Sequence, residues 1–73
     1  MKDKINDVTI TTPYITLGQL LKLVDLIGYG GEAKDFLASN IILVDDLEDN
    51  RRGRKLYEGS IVTIKNQKYR ISK

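Results

Sequence analysis

Arg51-Arg52-Gly53-Arg54-Lys55 is the stretch of this 73-residue chain whose residue types and spacing point most directly to a chemistry. Four cations fall in five residues, and the glycine among them allows a partner's backbone to approach closely. The pattern suits the phosphates of a polyanion, and three arginines to one lysine favour forked phosphate or base contacts over mere solubility. A competing reading is a solvated loop. Asp45, Asp46, Glu48 and Asp49 lie just upstream, so the charges over residues 45–55 cancel. Pattern alone leaves both readings open. Lys22 and Lys34 fall on the polar sides of two expected helices and join the candidate site only if the fold brings them to the 51–55 loop. Tyr29 either stacks on a base or covers the junction between the helices.

Other constellations fall away on inspection. Gly28-Tyr29-Gly30-Gly31-Glu32-Ala33 matches the form of the G-x-G-x-x-G/A dinucleotide fingerprint. That motif needs a preceding strand and a βαβ unit, whereas a helix is expected before it here. The acidic run Asp45, Asp46, Glu48 and Asp49 misses the calcium-loop spacing and reads as a solvated loop. Cysteine and histidine are both absent, which removes disulfides, cysteine- or histidine-based zinc sites and the commonest catalytic bases and nucleophilic dyads. No cofactor is expected, and no enzyme activity.

Length allows one domain with a small core. The composition is that of an ordinary globular protein, 41% hydrophobic and 30% charged with one proline. The longest apolar run, Ile41 to Val44, is far too short for a transmembrane helix. Met1-Lys2-Asp3-Lys4 is charged and is not expected to act as a signal peptide. The expected class is a small, soluble, intracellular module. Its net charge of +2 conceals an asymmetry: residues 1–50 carry four Lys/Arg against nine Asp/Glu, and residues 51–73 carry eight Lys/Arg against Glu58 alone. Either a polyanion binds one face, or the two halves attract each other.

The elements that must position the cationic run are legible in part. Val8 to Thr12 alternates and is β-branched, which predicts a short strand ended by Pro13. Thr16 and Gln19 form a capping box, with Ile15 and Leu20 at the hydrophobic-staple positions. Apolar residues at 17, 20, 21, 24 and 27 predict a helix from Leu17, its stripe widened by Leu23 and Leu26, and stopped by the glycines at 28–31. Gly18, Lys22, Asp25 and Tyr29 mark the opposite face. A second helix is expected at Glu32 to Ser39, with Ala33, Phe36 and Leu37 as its docking face and Asn40 ending it in a left-handed conformation. Ile41 to Val44 reads as a buried strand and Asp45 to Lys55 as a long polar connection. Leu56-Tyr57 resumes the fold, and Glu58-Gly59 reads as a turn. A hairpin turning at Asn66-Gln67 pairs Lys65 with Lys68, Ile64 with Tyr69, Thr63 with Arg70 and Val62 with Ile71. The order of elements predicts an α+β domain.

Three blocks carry a resemblance: Ile15-Thr16-Leu17-Gly18-Gln19-Leu20-Leu21-Lys22-Leu23, then Gly30-Gly31-Glu32-Ala33-Lys34, then Asp49-Asn50-Arg51-Arg52-Gly53-Arg54-Lys55-Leu56. Together with their spacing they resemble the YaaA group of S-four-like RNA-binding domains, a family called after ribosomal protein S-four. The resemblance implies an αL (alpha-L) RNA-binding motif: two short helices packed on a small, mostly antiparallel sheet, with RNA lying across the helices and the adjoining loop. The likeness covers about residues 14–64, the core of a single domain over 1–73 to which the residue pattern adds an N-terminal strand at 8–12 and a C-terminal hairpin at 61–71. Lys34 matches a basic position on the second helix, and Arg51, Arg52, Arg54 and Lys55 match the group's basic loop. The chain departs from the broader family at Tyr29-Gly30, where Ser-Arg is usual, at Val44-Asp45-Asp46 in place of V-N-G, and at Gly59-Ser60 in place of Gly-Asp. The resulting expectation is a monomeric, non-catalytic module of the bacterial cytoplasm in ribosome assembly or translation. It would grip structured RNA, ribosomal or tRNA-like and within a ribosomal particle, through Lys22, Lys34, Arg51, Arg52, Arg54 and Lys55. Neutralising about three to five phosphates would give a log affinity against log salt slope near −2 to −4. The alternative is a protein-interaction adaptor in a ribonucleoprotein or replication complex.

Overall fold

Thr16 does begin a helix, and for the reason its side chain suggests. In the computed structural model, which describes residues 5–29 and 31–73, the Thr16 hydroxyl accepts the Gln19 N–H at 3.2 Å and the Gln19 side chain accepts the Thr16 N–H at 2.8 Å. Met1 to Lys4 and Gly30 lie outside the described residues, and with them the charged N-terminal segment and one glycine of the fingerprint-like stretch.

The element order is β1 (Ile5–Thr9), β2 (Tyr14–Thr16), α1 (Leu17–Leu23), α2 (Glu32–Ser39), β3 (Ile42–Val44), β4 (Leu47–Glu48), β5 (Lys55–Tyr57), β6 (Ile61–Ile64) and β7 (Gln67–Ser72). The main sheet runs β1-β7-β6-β3-β4, antiparallel except for the parallel pair β1 and β7, and β2 with β5 forms a separate antiparallel ribbon. Two short helices on a mixed sheet make an α+β fold. One core joins the layers: Leu17, Leu20 and Leu21 from α1, Ala33 and Leu37 from α2, Ile42 and Val44 from β3, Leu56 from β5, Val62 and Ile64 from β6, and Ile71 from β7. Among the described residues no buried side-chain nitrogen or oxygen lacks a hydrogen-bond partner. No helix among them is long and apolar enough to cross a membrane.

The structure corrects several local expectations. The first helix stops at Leu23, before the glycines, because Asp25 takes the left-handed conformation (φ 61°). Asp25 N–H then donates to the Lys22 carbonyl and Leu26 N–H to that of Leu21, the paired bonds of a Schellman ending with aspartate in the usual glycine position. Val24, Leu26 and Ile27 therefore reach the core from a turn. Leu23 is 59% exposed and does not widen the buried stripe, whereas Gly18, expected on the polar face, is buried. Asn40 ends α2 extended (φ −134°), its amide donating to the Phe36 carbonyl at 2.9 Å. Ile41 is exposed outside β3, so the central strand alternates. The N-terminal strand lies at 5–9 where 8–12 was expected, continued by the Ile10 N–H to Ser72 carbonyl bond.

The supposed polar connection at 45–55 is structured. Asp45 and Asp46, both left-handed (φ 52° and 70°), turn β3 into β4, a two-residue turn of the kind that Asn-Gly commonly makes. Asp45 also accepts the Ile61 N–H on its carboxylate at 2.9 Å. The C-terminal hairpin turns at Lys65-Asn66 (φ 50° and 67°), one residue earlier than expected, pairing Ile64 with Gln67, Thr63 with Lys68, Val62 with Tyr69 and Ile61 with Arg70. Each partner moves by two, so Val62, Ile64, Tyr69 and Ile71 keep their common face while the Lys65–Lys68 clash disappears. Gly59, at φ 93°, is a position that favours glycine, and it turns β5 toward β6.

Candidate nucleic-acid interface

A loop with four cations would repel itself into disorder unless something held it, and the structure supplies two restraints. The first is backbone lacing to the start of α1. Leu17 N–H donates to the Arg54 carbonyl at 2.8 Å and Gly18 N–H to the Arg52 carbonyl at 2.9 Å. Two of the N–H groups that a helix start leaves unpaired are thereby satisfied by the cationic loop. β2 and β5 extend the seam, pairing Thr16 with Lys55, Ile15 with Leu56 and Tyr14 with Tyr57.

The second restraint is Asp49. Its carboxylate, only 7% exposed, accepts Arg51 Nη2 at 2.8 Å and Nε at 3.1 Å, the Arg51 backbone N–H at 2.9 Å and Arg54 Nη1 at 2.9 Å. Arg51 holds this carboxyl well below the usual carboxylate range, with Arg54 adding to the effect against the opposing cost of burial. Asp49 is itself anchored, its N–H donating to the Ile42 carbonyl at 2.9 Å. The acidic residues upstream thus do two separate jobs: Asp45 and Asp46 make a turn, and Asp49 folds the loop. Among the described residues no group of acidic side chains is arranged to hold a metal ion.

The six predicted cations are sorted by these contacts. Arg51 and Arg54 are tied to Asp49. Arg52 and Lys55 are exposed, and Lys22, exposed on α1, shares a shallow groove with Arg52, Gly53, Gly18 and Gln19. On the other side of Gly53 a second groove is lined by Arg51, Arg54, Lys55 and Tyr57. Lys34 is exposed on α2 and lines neither groove. Tyr29 is exposed, its ring standing over Gly31. Lys55 Nζ lies 5.0 Å from the centre of the Tyr14 ring, a cation–π contact that steadies it.

Sequence reasoning missed Gly18 and the clamp of Asp49. A Cβ on Gly18 would lie 2.7 Å from Arg52 Cγ and 3.4 Å from the Arg52 carbonyl oxygen. Its signal was a glycine inside a well-capped helix, which costs about 1 kcal/mol against alanine and so calls for a packing reason. Gly18→Ala is expected to regain that helix propensity and lose about 1–3 kcal/mol to overpacking, for a net loss near 1 kcal/mol. A thermal melt would then show a midpoint roughly 4–8 °C lower. An unchanged or raised midpoint would mean that Arg52 yields at no cost.

A family model described as the S4 domain matches residues 8–72 of this chain. The chain belongs to that family. It is also similar to the probable ribosome maturation protein RlbA of Bacillus subtilis (strain 168), with 58% identity over 59 residues that cover 81% of this chain and 83% of the relative. The S4 domain match takes in α1, α2 and the Asp49-clamped loop together, so the surface described above lies within the family's extent.

Proposed function

We propose that this chain is a non-catalytic RNA-binding module of the bacterial cytoplasm that acts in ribosome maturation or translation. It grips structured RNA, ribosomal or tRNA-like, as a single domain and a monomer, with the phosphate backbone held on the ledge formed by the 51–55 loop and the start of α1. The observation that carries the reading is the sorting of the cations: two arginines fold the loop, and Lys22, Arg52 and Lys55 remain exposed around Gly53. Membership of the S4 domain family and similarity to a probable ribosome maturation protein support the same partner class. Lys34, exposed on α2 and apart from both grooves, would make a separate phosphate contact, and Arg51, whose side chain is largely exposed despite its pairing, retains donors for a phosphate.

Electrostatic grip of this kind is tolerant of sequence, since A-form RNA hides its base edges in a deep groove. With about three phosphates neutralised, log affinity falls against log salt with a slope near −2 to −3. The test is a fluorescence-anisotropy titration with a structured ribosomal RNA fragment and a matched DNA duplex, from 50 to 200 mM salt. Wild type should prefer RNA and weaken about 16- to 64-fold over that range. Lys22→Ala/Arg52→Ala should flatten the slope by about 2, one unit per lost phosphate contact. Equal weak binding to RNA and DNA, with the variant matching wild type, would reject the ledge and favour a protein-interaction adaptor.

A further inference from the structure

The β2–β5 ribbon has an inner face packed on the core and an outer face that leaves two tyrosines partly in water. Ile15 and Leu56 point into the core, while the alternate positions Tyr14, Thr16, Lys55 and Tyr57 face outward. Tyr14 is 38% exposed and Tyr57 51% exposed. Their ring centres are 5.7 Å apart at an interplanar angle of 51°, and Lys55 Nζ covers the Tyr14 ring. Large aromatics stabilise a small protein chiefly by burial, and these two leave much of their area in water. Their position is suggestive as well. Tyr57 lines the groove with Arg51, Arg54 and Lys55, and Tyr14 lines a groove with Thr16, Gln19 and Lys22. The aromatic pair therefore borders the cationic ledge, Tyr14 beside Lys22 and Tyr57 beside Arg51, Arg54 and Lys55.

We propose that the outer face of the β2–β5 ribbon is a base-stacking platform, on which Tyr57 takes the face of one unpaired nucleobase while the neighbouring ledge holds the flanking phosphates. This deepens the RNA-binding reading and rests on it. Tyr14 is the support: Lys55 occupies its face, and its ring buttresses Tyr57 at a tilt. Tyr57 offers the more open ring. A fully paired helix keeps its bases inside the stack and presents nothing to such a ring, so the recognised RNA carries a bulge, loop or frayed end next to the gripped backbone. The stacking is sequence-tolerant because every base has a π face, which suits a surface with cations and few base-reading side chains.

The experiment uses one RNA hairpin in two forms, fully paired and with a single 2-aminopurine bulge, each titrated by anisotropy and the second also by 2-aminopurine emission. Wild type and Tyr57→Phe should quench the bulged base and bind the bulged hairpin more tightly. Tyr57→Val, which keeps a strand-forming residue but removes the π face, should abolish the quenching and weaken bulged-hairpin binding about 5- to 150-fold, leaving the paired hairpin unaffected. Bulge emission unchanged by wild type overturns the platform. So does a Tyr57→Val protein that binds both hairpins like wild type, and if Lys22→Ala/Arg52→Ala still weakens binding to both forms, the ledge stands without it. Wild type that binds neither hairpin overturns the RNA-binding reading and the platform with it.

Discussion

Leu20→Ala is expected to lower the melting midpoint by roughly 8–40 °C and to leave part of the protein unfolded at 37 °C. Leu20 is fully buried at the centre of α1, between the capped start of the helix and its Schellman ending, in the cluster that joins both helices to both sheets. Truncating such a leucine costs about 2–5 kcal/mol through lost burial and the cavity left behind. A chain this long has only about 4–11 kcal/mol of total stability to lose. The same change at Leu23, three residues along, should fall within about 0.5 kcal/mol of wild type, because Leu23 is already largely in water. Urea or thermal melts followed by circular dichroism decide the matter, and comparable losses at the two positions would mean that α1 packs differently from the geometry described.

Asp49→Asn should move stability and salt sensitivity in opposite directions. It removes the negative charge that Arg51 and Arg54 share, and charge-assisted bonds of this kind are worth about 1.5–3 kcal/mol. The midpoint should drop by roughly 6–24 °C. The asparagine oxygen still accepts one donor, so the loop loosens while β5 keeps its pairing to β2. Both arginines lose their paired charge, and the slope of log affinity against log salt should steepen toward about five phosphates' worth. An Asp49→Asn protein with wild-type stability would show that backbone lacing alone holds the loop. The pH dependence follows with a definite sign. Asp49 is held below the usual carboxylate range in the fold, so as pH falls the unfolded chain takes up this proton first. Its contribution is complete above about pH 5, declines as pH falls through and below the carboxylate range, and is missing from the acid limb of the variant's stability curve.

How much of this could be read from the chain depends on how local each cause is. The Thr16–Gln19 box, the Leu17-Leu20-Leu21 stripe and the docking residues Ala33 and Leu37 are short-range patterns, and they are found as expected. The fold family was legible from three blocks at fixed spacing. β2 was not, because three residues of Tyr-Ile-Thr become a strand only through a partner some 40 positions away. β4 was hidden because its turn is made by two aspartates that look like solvated charge. The hairpin turn was misplaced by one residue because lysine and asparagine both accept left-handed geometry at 65 and 66. At the site, the residue types were plain but their division of labour was not. The choice between a phosphate-binding loop and a self-neutralised one had no answer in a charge count, since Asp49 pairs with two of the four cations and leaves Arg52 and Lys55 exposed.

The parallel pair β1 and β7 sets the order in which the molecule can be completed. β1 precedes every other described element in the chain, yet its hydrogen-bond partner spans residues 67–72, and its exposed link to that partner, Asp7 to Arg70 at 2.8 Å, closes over 63 positions. β2 waits for β5, some 40 residues on, and the other elements between them find neighbours nearer in the chain. The first strand must wait with its backbone groups unpaired until the last has been made, so closure of this edge is a late, long-range step whose loop entropy slows it. During that wait the nascent chain displays an open strand, and any factor that shields it would act on this segment before the sheet is sealed.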